Sequence, residues 1–214
     1  MDLKNKKINF LGDSITEGAG ADENSKCYVS QVALKSGAIC RNYGIGGTRF
    51  AKQTKATPWD SDFCSRVDGM DEDADIVCVF GGTNDFGHGD APLGEFTDRT
   101  NDTFYGATHV LCTKLIEKYH GKLIVFFTPL HRLNEDSLVG EGKDVPVGNL
   151  KTYVDIIREV TEYYSLPVLD LYSESGFQPK IPIIQEKYMP DGLHPSNEGH
   201  RMLAEKIIAY LEKF

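Results

Sequence analysis

The stretch KINFLGDSITEGAG, residues 7–20, decides how this chain is read. Its first half is a short, mostly apolar run of strand length that stops at Gly12. Its second half presents an aspartate and a serine and then runs into Gly18 and Gly20. A polar turn between a strand and a helix explains that pattern. So does a nucleophile set at the edge of a sheet, and the rest of the chain has to choose between the two.

Outward from this stretch the same strand-then-turn pattern recurs. KINFLG (7–12), AICRNYG (38–44), DIVCVFGG (75–82), KLIVFFT (122–128) and LPVLDL (166–171) read as five strands. Several are nearly continuous apolar runs, as expected of strands covered on both faces. Helices fit between them at about 26–36, 61–70, 101–120 and 148–164, and a last one starts at Ser196, a residue suited to an N-cap. The alternation predicts a single α/β domain over residues 1–214, a three-layer α/β/α sandwich around a five-stranded parallel sheet of flavodoxin-like order 2-1-3-4-5. In such sheets ligands bind beyond the carboxyl ends of the strands.

Composition narrows the function classes. The 214 residues are 40% hydrophobic and 26% charged, as in a soluble globular protein, and the net charge of −9 argues against a nucleic-acid surface. The opening MDLKNKKINFLGDS has too short an apolar run for a signal-peptide core, and no window approaches the roughly 18 apolar residues of a membrane span. A cytoplasmic location with no membrane partner is expected. Cys27, Cys40, Cys64, Cys78 and Cys112 are odd in number, widely spaced and free of any C-x-x-C pair, so all five are read as reduced thiols. A homo-oligomer is compatible with a chain of this class, though no feature calls for one.

Polar residues gather where the strands end. GDSIT follows the first strand, NYGIGGTR the second, GGTNDFG the third and TPLHR the fourth, while MPDGLHPSNEGH follows at a distance from the fifth. A serine hydroxyl needs a general base, histidine suits that task near neutral pH, and the histidine needs an acceptor to fix its tautomer. Asp191 stands three residues before His194, within one tight turn, so its carboxylate can reach the ring of His194 and leave the imidazole to serve Ser14. Acyl transfer also needs donors for an oxyanion. The N–H groups of Ser14 and Gly47 and the side-chain amide of Asn84 can supply them.

Taken together, GDSIT, NYGIGGT, GGTND and DGLHP stand in the order, and at roughly the separations, found in the GDSL/SGNH hydrolases, and the chain resembles that family from Gly12 to Pro195. One such motif would be weak evidence, whereas four in order are strong. The resemblance implies the SGNH hydrolase fold, with Ser14 as nucleophile, Asp191 and His194 as acid and base, and Ser14, Gly47 and Asn84 as the oxyanion hole. Ile15 replaces the leucine of the GDSL pattern, with no consequence expected.

Other residues have plainer readings beside functional ones. Asp13, Arg49, Phe86, His131 and Arg132 are candidate substrate contacts, with Trp59 beside them, although Asp13 more readily holds its turn by accepting backbone N–H groups. Asp85 is expected to brace its own loop. The long polar loops 84–100 and 130–148 are expected to wall a pocket. His200 reads as a packing or solvated residue, and His88, His109 and His120 have no ligand-like partners, so neither a metal site nor a cofactor is expected. GEGKD (140–144) follows no strand and lacks the hydroxyl residue of a phosphate loop, and G-x-S-x-G is absent. The expected activity is hydrolysis of short-chain esters, acetyl foremost, of a polar alcohol such as a carbohydrate, with a small-molecule ester as the partner. Longer-chain lysophospholipase or thioesterase activity, and acyl transfer by the same residues, stay open. A non-catalytic binding module and a metal phosphoesterase fit less well.

Overall fold

A computed structural model describes residues 1–55 and 57–214. Five strands form one sheet: β1 (Lys7–Gly12), β2 (Ile39–Gly44), β3 (Ile76–Phe80), β4 (Leu123–Phe127) and β5 (Val168–Leu169). Every pairing is parallel and the order is β2-β1-β3-β4-β5, the flavodoxin-like order expected from the alternation. Gly12 lies opposite Gly44 on one side and Phe80 on the other, and Phe80 lies opposite Phe127. The carboxyl ends are therefore level, and the turns that follow β1, β2, β3 and β4 emerge along one edge.

Alternate side chains serve opposite faces, as the two-residue period of a strand requires. Ile8, Phe10, Ile76, Cys78, Phe80, Val125 and Phe127 pack into one apolar cluster, while Leu11, Val77, Val79, Ile124 and Phe126 pack into the other. The first cluster is closed by α2 (Tyr28–Ser36) and α9 (Asn197–Leu211), and the second by α3 (Phe63–Arg66), α5 (Phe104–Lys118) and α6 (Leu150–Tyr163). These are the three layers.

The helix ends follow capping chemistry. Asp62, Thr103, Asn149 and Ser196 each accept a backbone N–H of their own first turn, which sets the starts of α3, α5, α6 and α9. The expected helix at 61–70 is thus a one-turn α3 followed by a 3-10 turn over Val67–Gly69, and the expected helix at 101–120 begins only after Thr103. The fifth strand shrinks from the expected 166–171 to two residues, because Pro167 has no N–H to give and Asp170 turns to cap the next helix. Short helices that periodicity cannot reveal complete the chain: α1 (Ser14–Glu17), α4 (Thr83–Gly87), α7 (Leu171–Glu174) and α8 (Pro182–Tyr188). All five cysteines are free. Among the described residues no helix is long and apolar enough to cross a membrane.

Candidate active site

The turn after β1 is built by Asp13. It is buried, and its Oδ1 accepts the Ile15 N–H at 3.0 Å as the N-cap of α1. Ser14 is consequently the first residue of a one-turn helix, and its N–H has no intrahelical acceptor. The Ser14 Oγ lies 3.0 Å from Nε2 of His194, and His194 Nδ1 lies 2.6 Å from Oδ2 of Asp191. The other Asp191 oxygen accepts the backbone N–H groups of Leu193 and His194 at 2.9 and 2.7 Å. Burial works against the charge on Asp191, but those backbone bonds and the imidazole hold its carboxyl below the usual carboxylate range. An ionised Asp191 accepts a hydrogen bond from Nδ1–H and so holds the proton on that nitrogen, which leaves Nε2 to offer its lone pair to the Ser14 hydroxyl. A hydroxyl, an imidazole and a carboxylate in this line can move the serine proton onto the ring.

The segment carrying Asp191 and His194 is held from both sides. The Ser196 hydroxyl donates to Lys187 O at 2.7 Å, and the Gly192 carbonyl accepts Leu133 N–H at 3.0 Å. His200 is a packing residue. Its Nδ1 accepts the Tyr28 N–H at 3.2 Å and its Nε2 donates to Ala19 O at 3.0 Å, which fixes α9 to α2 and to the end of the serine turn. Burial pushes His200 down, in keeping with a neutral ring.

The loop after β2 comes alongside Ser14. Gly44 carries no Cβ because one would fall on the backbone of Glu17, so α1 rests directly on the end of β2. The Gly46 N–H donates to Glu17 Oε2 at 3.0 Å, and a Cβ on Gly46 would lie 3.7 Å from the Cβ of Ser14. Gly47 has φ +75°, which only glycine adopts without strain, and the Trp59 indole covers it. Asn84, buried in α4, donates one amide hydrogen to Thr48 O at 3.0 Å and keeps a second one free to donate. Among the described residues the Gly47 N–H has no acceptor.

Several supporting residues were not singled out by the sequence. Arg66 donates to Tyr43 O and Gly12 O, each at 2.9 Å, and to Thr48 Oγ1 at 3.2 Å, so one guanidinium ties the ends of β1 and β2 to the Gly46–Thr48 turn. Burial lowers its pKa to about 10. The available signal was its position three residues after Phe63, on the buried side of a short helix, where a cation needs partners. Asp85 accepts the N–H groups of Phe50 and Ala51 at 2.9 and 3.0 Å, as a brace for its loop would. Burial raises both Asp13 and Asp85 to about 6.

The candidate substrate contacts separate. Phe86 is fully buried, with its ring edge-on to Tyr153 and its other side under Arg132, so it offers no surface to a ligand and the expectation of a contact there is corrected. Burial follows from α4, whose five residues are all enclosed beneath the 130–148 loop. Arg132 is also buried. It donates to Thr83 O and Oγ1 at 3.2 and 3.1 Å and pairs with Glu141, which braces α4 next to Asn84. Arg49 is buried too and donates to Thr57 Oγ1 at 2.7 Å, Asp60 Oδ1 at 3.1 Å and Trp59 O at 3.3 Å. Its work is to hold the turn that lays Trp59 over Gly47. His131 pairs with Glu135 at 2.5 Å and lies tilted against the Tyr172 ring, turned to its own loop. The half-exposed Trp59 is the one of these side chains that faces both Gly47 and solvent. The two long loops meet, with His88–Asp90 facing Glu141–Val147 across a cleft. Among the described residues no three His, Cys, Asp or Glu side chains are gathered as a metal ion would need.

Residues 10–202 match the model of the GDSL-like lipase/acylhydrolase family. A solved structure of a Lactobacillus plantarum protein is 30% identical, with 99% of this chain and 98% of that one covered and a TM-score of 0.84. A possible lipase from Chitinophaga pinensis is 20% identical over 97% and 98% of the two chains, at a TM-score of 0.71. A carbohydrate acetylesterase family member from Sinorhizobium meliloti is 15% identical over 97% and 98%, at 0.66. No curated protein matches the chain.

Proposed function

This chain belongs to the GDSL-like lipase/acylhydrolase family, a family of hydrolases, and from that premise we propose that it is a serine esterase that removes short acyl groups, acetyl foremost, from a polar alcohol. The observation that carries the reading is the unbroken line from Ser14 Oγ through His194 to Asp191, with contacts of 3.0 and 2.6 Å. In the proposed mechanism His194 takes the Ser14 proton as Oγ attacks the ester carbonyl. The oxyanion is received by the N–H groups of Ser14 and Gly47 and by the Asn84 amide. The alcohol leaves with the proton from His194. Water, deprotonated by the same imidazole, then cleaves the acyl-enzyme and frees the acid and the serine.

The short acyl group is supported by the polar composition of the loops 84–100 and 130–148, since a long chain would want a broad apolar slot. A structure described as a carbohydrate acetylesterase family member shares the fold. Five free thiols support a reducing compartment, the cytoplasm. The test is hydrolysis of p-nitrophenyl esters from acetate to decanoate, by wild type and Ser14→Ala. Cleavage that peaks at acetate and falls by at least about 10³-fold in Ser14→Ala is expected. Near-normal turnover by a folded Ser14→Ala protein would refute the nucleophile, and a peak at decanoate would refute the short-chain assignment.

A further inference from the structure

Residues 44–48 carry the chain from the end of β2 past Ser14, and among the described residues every backbone N–H in this loop is engaged except one. Gly44 N–H donates to Asn42 Oδ1 at 2.8 Å, Ile45 N–H to Gly12 O at 3.1 Å, Gly46 N–H to Glu17 Oε2 at 3.0 Å and Thr48 N–H to Ile45 O at 3.4 Å. The one left is Gly47 N–H, the oxyanion donor of the proposed mechanism. We propose that Glu17 is a positioning residue for that donor: by holding Gly46 N–H, its carboxylate sets where Gly47 N–H stands relative to Ser14 Oγ. The proposal rests on the reading of Ser14 as nucleophile and Gly47 as donor.

Ser14 and Glu17 are the first and last residues of α1, so a bond from Glu17 to the loop refers the loop directly to the turn that carries the nucleophile. That turn is itself firmly placed. Asp13 caps its start, and Gly18 N–H closes its end on Ser14 O. Thr16 Oγ1 lies 2.9 Å from Tyr28 Oη, and Thr16 O accepts the Asn42 amide at 2.7 Å. The loop has no such stiffness of its own, because Gly46 and Gly47 are adjacent and glycine has the greatest backbone freedom. The peptide that carries Gly47 N–H joins these two residues, so it turns with whatever Gly46 does. A Cβ on Gly46 would stand 2.8 Å from Glu17 Oε2, so the glycine that leaves the loop pliable is also what admits the carboxylate. Glu17 is exposed, and among the described residues its carboxylate meets no cation and no donor other than Gly46 N–H. Its one contact is therefore the tether, made beside the single N–H that the loop leaves free.

In the full-length protein, Glu17→Ala should lower kcat for p-nitrophenyl acetate by about tenfold with KM changed by less than about twofold. That is a smaller loss than the roughly 10²–10³-fold of a missing donor, because the donor is loosened and not removed. Glu17→Gln keeps an oxygen acceptor at the same reach and should stay within about threefold of wild type. The Gly46 amide, followed by hydrogen exchange in NMR spectra, should exchange about tenfold faster in Glu17→Ala and at the wild-type rate in Glu17→Gln. Circular dichroism and a denaturation midpoint establish that both variants are folded. Wild-type kcat in folded Glu17→Ala, a fall in kcat that Glu17→Gln shares, a loss confined to KM, or an unchanged Gly46 exchange rate would each overturn the role. Failure of the esterase reading shows separately, as a wild-type protein without Ser14-dependent hydrolysis of p-nitrophenyl acetate, and the Gly46 exchange rates then still decide whether Glu17 holds the loop.

Discussion

Replacing Gly47 by alanine puts the proposed oxyanion hole under direct strain. At φ +75° an alanine pays about 1–2 kcal/mol for the left-handed backbone. Its Cβ would also stand 2.5 Å from Trp59 Cδ1 and 2.7 Å from Cγ. Carbon atoms in contact prefer about 3.5–4.0 Å, so ring and backbone must part by about 1 Å. Because Arg49, Thr57 and Asp60 pin the turn that carries the indole, part of that displacement falls on the Gly47 N–H itself. Loss of one oxyanion donor costs about 10²–10³-fold in turnover, so Gly47→Ala should lower kcat for p-nitrophenyl acetate by about 10²-fold with KM little changed. Gly47→Ala combined with Trp59→Ala removes the clash but keeps the backbone cost, and should recover most of the lost kcat. Circular dichroism and a denaturation midpoint establish that each variant is folded. Wild-type kcat in folded Gly47→Ala would refute the donor role, and a double variant as slow as the single one would refute the indole as the cause.

Three further outcomes are expected. Asp191→Asn keeps an oxygen for the Leu193 and His194 N–H groups but no longer holds the ring's proton on Nδ1; kcat should fall by about 10³–10⁴-fold with little change in melting temperature, and a small effect on kcat would refute the orienting role. Asp13 is raised from 3.8 to about 6 by burial, so between those values the native state binds more protons than the unfolded one and stability falls as pH rises; Asp13→Asn, which can still cap α1, should relieve up to about 3 kcal/mol of that fall, and parallel urea midpoints of the two proteins from pH 4 to 7 would contradict it. Arg66→Met takes the guanidinium from the Tyr43 carbonyl and leaves the Gly12 carbonyl with the Ile45 N–H alone, and should destabilise the fold by about 1–3 kcal/mol in chemical denaturation, a loss that an unchanged midpoint would disprove.

Much of this molecule is legible in the sequence because its strands are buried on both sides. A strand such as Ile76–Phe80, enclosed at every residue, announces itself as an apolar run, and so the sheet order could be expected from the alternation alone. The Asp191–His194 pair is legible for a different reason: its spacing is local, and one turn suffices to join carboxylate and ring. The partners that approach from a distance are not legible. Nothing near Arg66 in the chain names Gly12 or Tyr43, and nothing near Arg49 or Arg132 shows that each will be enclosed among carbonyls and hydroxyls. The burial of Phe86 is hidden from the sequence for the same reason. This residue belongs to a five-residue helix too short to display a period, and only the loop folded over it, anchored by Lys143 on Asp85 O, decides that it faces inward. The short α7 and α8 carry no stripe at all.

The hydrogen bond between Ser14 and His194 joins positions 180 residues apart, while His194 and Asp191 are three apart. On a ribosome adding about 5–20 residues per second, the serine turn emerges roughly 10–40 s before its imidazole exists. Throughout that interval the nucleophile's half of the sheet can form, yet Ser14 has no base. His200 extends the dependence, since it is α9, the last helix, that grips Tyr28 and Ala19 beside the serine turn. Under the proposed mechanism an unfinished chain is therefore chemically silent toward every ester around it. Hydrolysis begins only when α9 seats, which makes turnover a certificate that the serine turn and the helix 180 residues beyond it have met.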